Sequence, residues 1–149
     1  MNFIYNNKNY TNFDKQSALN AGVPLSVWNE KHLEHIQAVK LNQFNAIAER
    51  EIQALISTYP PSEVTSFHKQ ENEARAFIAD NTTATPLLDA LAVTRGMDKA
   101  ELVNKVIAKA DEFAAASGAI IGKRQQLEDQ LDALAERNAS EDEYQALTW

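Results

Sequence analysis

Cysteine is absent from the 149 residues. That removes disulfides, a thiolate nucleophile and any zinc–thiolate site. Only four glycines and four prolines occur, too few to punctuate a turn-rich β fold. The uncharged, largely apolar run Phe113 to Gly122 is about half the length that crosses a bilayer. No membrane span is expected. The opening residues, MNFIYNNKNYTNF, lack the basic and apolar regions of a secretory signal. Basic residues are also scarce: 14 Lys and Arg stand against 21 Asp and Glu, for a net charge of −7. Nucleic-acid affinity comes mostly from clustered cations that displace counterions, and no such cluster exists. Nucleic acid is therefore not an expected partner.

What the chain has is helical pattern. From Asp98 to Arg137 an apolar seam steps by three and four through Val103, Val106, Ala110, Phe113, Ser117, Ile120, Arg124, Leu127, Leu131 and Leu134. Such spacing keeps one stripe of a long helix. Asp98 is a suitable N-cap, with Glu101 placed to return a hydrogen bond to the cap amide. Ser117 and Arg124 interrupt the stripe, which favours a helix packed in a bundle over a simple coiled coil. Self-association along the seam, giving a homo-oligomer, stays open. Phe113 to Gly122 is small or apolar nearly all round, so cover on more than one side is expected. Gly118 and Gly122 each cost about 1 kcal/mol in a helix interior, and close approach by a neighbouring helix would offset that.

A second long helix is expected over 25–59, capped by Ser26 or Asn29. Its apolar residues recur every eleven: Leu33, Phe44 and Leu55; Ile36 and Ile47; Leu41 and Ile52. Eleven residues in three turns hold one face of a nearly straight helix. Tyr59-Pro60-Pro61 stops it. Ahead of it, Phe3-Ile4-Tyr5 and Tyr10 to Phe13 flank Asn6-Asn7-Lys8-Asn9 and suggest a β-hairpin. Asp14 caps a short helix, Lys15 to Ala21, ending at Gly22. Residues 62–66 read as a connector, and 66–95 as two short helices, the second with Thr85 as cap and Pro86 at its first position. Residues 141–149 form a C-terminal segment opened by the capping pattern Ser140 to Glu143. The fold expected is mainly α, a helical bundle with two long helices and a short N-terminal hairpin, as one domain over 1–149.

Chemistry is hard to find. His32 and His35 share a helix face but lack a third ligand. Glu71 with Glu73, or Glu128 with Asp132, read as solvated faces, because separating two carboxyl pKa values needs a concave, partly desolvated site. No glycine-rich phosphate loop and no Gly-x-Ser-x-Gly elbow occur. No catalytic residue, cofactor or metal is expected, and the chain does not read as an enzyme. The aromatic residues Phe3, Tyr5, Tyr10, Trp28, Tyr144 and Trp149 are the candidate partner-binding set. Aromatic rings bury large area with few rotatable bonds. Their competing role is to tie the ends of the chain to the bundle.

Three runs carry a family resemblance: Lys69 to Phe77, Thr85 to Ala92 with Arg95-Gly96, and Lys109 to Gln125. Over roughly Tyr59 to Leu134 the chain resembles small helical proteins encoded among bacteriophage and prophage tail genes, described as tail proteins or tail fibre assembly chaperones. The resemblance brings no catalytic residues. It implies a protein partner, a tail fibre or other tail protein, in the host bacterial cytoplasm during assembly. The alternative it implies is a permanent structural adaptor retained in the virion.

Overall fold

Helix dominates the computed structural model, which describes all residues from Met1 to Trp149. Strands β1 (Phe3–Tyr5) and β2 (Lys8–Tyr10) precede seven helices: α1 (Lys15–Asn20), α2 (Leu25–Ile56), α3 (Pro61–Val64), α4 (Phe67–Ala79), α5 (Pro86–Arg95), α6 (Lys99–Glu136) and α7 (Glu141–Ala146). The mainly α architecture with two long helices and an N-terminal hairpin is thus as the pattern predicts. The chain divides into two compact units, one of Met1–Ala48 with Gly122–Trp149, the other of Glu49–Ile121. Both long helices contribute to each. No helix is long and apolar enough to cross a membrane.

In the first unit, the hairpin pairs antiparallel in the register Phe3↔Tyr10, Ile4↔Asn9, Tyr5↔Lys8. Asn6 and Asn7 both adopt left-handed angles, φ 47° and 59°, the backbone a two-residue hairpin turn requires and asparagine tolerates. Alternation along the strands turns Phe3, Tyr5 and Tyr10 inward and leaves Ile4 exposed. The inward rings meet Ala18, Val23 and Trp28. Phe3 stacks on Tyr10 at 4.9 Å between centroids and meets Trp28 edge-on at 5.9 Å. Asp14 caps α1 by accepting from the Ser17 N–H at 2.7 Å. After α1, Gly22 at φ +82° reverses the chain, and the Val23 N–H returns to the Ala18 carbonyl. Neither Ser26 nor Asn29 caps α2. The helix begins earlier, directly behind Pro24, whose carbonyl accepts from the Trp28 N–H.

The same unit holds a second core of Ile36, Phe44, Leu127, Leu131, Leu134, Ala139 and Tyr144. The eleven-residue repeat of α2 thus meets the three-four repeat of α6. Gln37 donates to Asp132 at 2.9 Å, and Arg124 to Asn45 at 3.3 Å. One number rises as the other falls, so these stretches run antiparallel. Arg124 interrupts the seam because its guanidinium turns aside, to Asn45 and to Glu128 at 2.8 Å. The chain then enters α7 through a Ser140–Glu143 capping pair. The Glu143 carboxylate accepts from the Ser140 N–H at 2.9 Å and from Arg137. Arg137 first, then Ser140, holds the Glu143 carboxyl down at about 2.

In the second unit, Ala74, Leu88, Ala92, Leu102 and Val103 form the core. Asp98 caps α6 through the Glu101 N–H at 3.0 Å. Glu101 does not return to the cap amide; it pairs with Lys105 at 2.6 Å. The expected connector over 62–66 contains a single helical turn, α3, opened by Pro61 with its φ pre-set for helix. Thr85 stands at the N-cap of α5 but makes no side-chain cap bond. Glu73 of α4 caps α5 instead: one carboxylate oxygen accepts from the Leu87 and Leu88 N–H groups, each at 3.0 Å. Its other oxygen lies 3.1 Å from Lys69 Nζ. Glu73 is therefore buried and does not belong to a solvated face with Glu71.

The run Phe113 to Gly122 departs most from expectation. No element covers it all round: Phe113 is 40% and Ile121 42% exposed. A Cβ placed on Gly118 or Gly122 would meet nothing within 4 Å, so no neighbouring helix approaches either glycine. The seam residues Ser117 and Ile120 are only half-buried.

A candidate partner-binding groove

Residues of α2, α3, α4 and α6 within the second unit leave an open groove of about 690 Å³. Its walls follow from local sequence. α2 stops near Tyr59 because two prolines follow, and α3 and α4 restart at once, bringing Val64 and Phe67 to the opening. Leu55, Ile56 and Tyr59 come from the last turns of α2 and its end. The facing wall is α6: buried Leu102 at its inner end, then the seam residues Val106, Ala110, Phe113 and Ser117. Seven-residue periodicity makes that seam continuous for about three turns. Ser117 satisfies its hydroxyl on the Phe113 carbonyl at 2.7 Å, so the wall offers mostly hydrocarbon. Leu55 is 38% exposed, an unusual state for a residue in step with a buried repeat.

The rim is charged. Lys109 donates to the Tyr59 hydroxyl at 2.8 Å and lies 5.1 Å from that ring's centroid. Tyr59 in turn meets Phe67 edge-on at 5.0 Å. Arg75 joins Glu71 of its own helix at 2.9 Å and Asp111 of α6. Those two carboxylates, Asp111 first, push the Arg75 pKa above its ordinary value. His68 shares a hydrogen bond with Asn72 at 3.1 Å. The rim groups named here are thus engaged locally, and the arrangement favours burial of apolar surface with a polar surround.

The six sequence candidates lie elsewhere, in the first unit. Phe3, Tyr5, Tyr10 and Trp28 pack together in the hairpin cluster. Tyr144 is 2% exposed in the second core of that unit, and Trp149 packs at its margin. Burial pushes the Tyr144 hydroxyl pKa up. Trp149 lies 6.5 Å from Phe44, ring to ring, with Lys123 4.9 Å from its centroid. His32 stacks on Trp28 and faces Glu141 at 3.1 Å, while His35 is exposed. No three His, Asp or Glu side chains converge where a metal ion would need them.

The groove escaped sequence reasoning because its residues belong to the same stripes as the cores. The signal available was the match of lengths. The α6 seam runs about three turns beside a chain segment broken by Pro60 and Pro61, which no single helix covers.

A family model described as the HI1402 helical domain matches residues 108–149, from within α6 to the end of the chain. No curated protein and no solved structure matches.

Proposed function

We propose that this chain is a non-enzymatic binding protein of phage or prophage tail assembly, acting as a chaperone for a tail fibre protein in the host bacterial cytoplasm. The observation that carries the binding role is the apolar groove, open along α6 from Val106 to Ser117, with Leu55 and Phe113 more than a third exposed. Burying apolar area stabilises an association by about 25 cal/mol per Å² before entropy is subtracted. The resemblance of residues 59–134 to small tail-gene proteins directs the role to tails. Fibres are slow-folding β-rich trimers whose unpaired surfaces aggregate, and a small acidic protein can cover them until assembly.

Co-expression with the neighbouring fibre gene tests the proposal. Soluble fibre yield should rise with the protein present and stay high once the protein is removed. Recovery of the protein from purified particles at fixed stoichiometry would replace the chaperone by a structural adaptor.

A further inference from the structure

The groove of the second unit has walls made only of helices, and this limits what it can hold. Backbone N–H and C=O groups of those walls are already paired within their helices, so no strand edge is offered. An extended peptide laid there would bury its own backbone groups without partners. A helix brings its hydrogen bonds with it. The groove is open to solvent, so a purely apolar ligand would leave part of its surface in water. An amphipathic helix has a polar face for that side.

Charge narrows the occupant further. Lys105 is compensated by Glu101 and Glu71 by Arg75; of the remaining lining charges, Arg95 and Lys109 with Glu112 come from α5 and α6, and Glu63 comes from α3. The two sides of the groove thus differ in sign. Length follows from α6, where the accessible wall from Val106 to Ser117 spans about 16 Å at 1.5 Å per residue.

We infer that the groove receives an amphipathic α-helix of a partner protein, roughly three turns long, with acidic side chains on the flank facing α5 and α6 and basic side chains on the flank facing α3 and α4. This rests on the binding role proposed above and assigns its surface and the chemistry of its partner. Of the other exposed large apolar residues, Ile4, Ile78 and Val93 stand on different elements, Leu25 and Val39 are several turns apart on α2, and Ile121 is two turns beyond Phe113 on α6. They give a second copy of the chain no comparable face to insert.

Two designed peptides of roughly 16 residues test this on the full chain, by fluorescence anisotropy. Both have leucines at i, i+3, i+4 and i+7; the matched peptide carries Glu on one flank and Lys on the other, and the second carries Lys on both flanks, so that reversing its direction cannot restore the match. The matched peptide should bind about tenfold tighter than the second. Binding should be lost in Phe113→Asp and Leu55→Asp, whose sites are exposed enough to leave helicity by circular dichroism unchanged. Lys105→Glu with Lys109→Glu should reverse the preference. Equal binding of the two peptides, or binding of neither, overturns the inference. So does saturable binding of a dansylated fatty acid without peptide binding, or a dimer in sedimentation that Phe113→Asp dissolves. Failure of the wider reading looks different. Fibre yield that is unaffected while the matched peptide binds would remove the tail-fibre role and leave the groove's assignment standing.

Discussion

Replacing Glu73 by alanine isolates a single tie between two helices. Glu73 is 5% exposed, and its carboxylate accepts the first free N–H groups of α5, from Leu87 and Leu88, both at 3.0 Å. Leu88 is fully buried, so no water replaces the lost acceptor there, whereas Leu87 keeps partial access to solvent. A hydrogen bond to a charged group contributes about 1.5–3 kcal/mol, and an anion at a helix N-terminus adds about 0.3–1 kcal/mol. Counting the Leu88 bond fully and the Leu87 bond in small part, Glu73→Ala should cost about 2–4 kcal/mol. For a chain of this size that lowers Tm by roughly 5–15 °C. Urea unfolding should show a lower midpoint with the slope unchanged. Hydrogen exchange should accelerate first at the Leu87 and Leu88 amides. Glu73→Gln keeps an acceptor oxygen and should lose about half as much. A Glu73→Ala protein within about 0.5 kcal/mol of the parent, with those amides still protected, would refute the reasoning.

Other expectations follow from the same geometry. Gly118→Ala and Gly122→Ala should each raise stability by about 1 kcal/mol, because neither site has an atom within 4 Å of the added methyl; a loss on thermal unfolding would reveal a neighbour. The Glu143 carboxyl, at about 2 in the folded chain against an ordinary 4.5, stabilises α7 fully above pH 4.5. That contribution should fade as pH drops through 2, and Arg137→Ala should move the side-chain carbon titration of Glu143 upward. Tyr144→Ala, at a site 2% exposed, should cost about 3–5 kcal/mol by urea unfolding. Removing Tyr144 to Trp149 should likewise destabilise the first unit through the lost core, before any effect on partner capture is read.

Particular residues separate what local sequence dictates from what tertiary contact decides. The existence of the hairpin, the Asp14 and Asp98 caps, the proline stop after Tyr59 and the glycine end of α1 were all legible, because each acts within a few residues of itself; the second strand lies at Lys8–Tyr10 and not at Tyr10 to Phe13, because Asn6 and Asn7 alone make the turn. Glu73 was misread because its partners, Leu87 and Leu88, are fourteen and fifteen residues away. On one helix, a carboxylate bound for a distant amide looks the same as one bound for water. The candidate aromatics met the same limit. Their sequence positions mark interface chemistry and core chemistry alike, and Tyr144 and Trp28 prove to be packed within the chain.

Periodicity alone determined that two long helices would form and which residues would share a stripe on each, since 3.6 residues per turn is a property of the backbone. Which part of a stripe is covered was decided only in three dimensions. Leu127, Leu131 and Leu134 meet the repeat of α2 and vanish from solvent, while Phe113 and Ile121, equally apolar and on the same helix, stay more than a third exposed. Burial depends on what another segment brings opposite: Leu102 and Val103, beyond the point where the prolines end α2, vanish against Ala74, Leu88 and Ala92 instead.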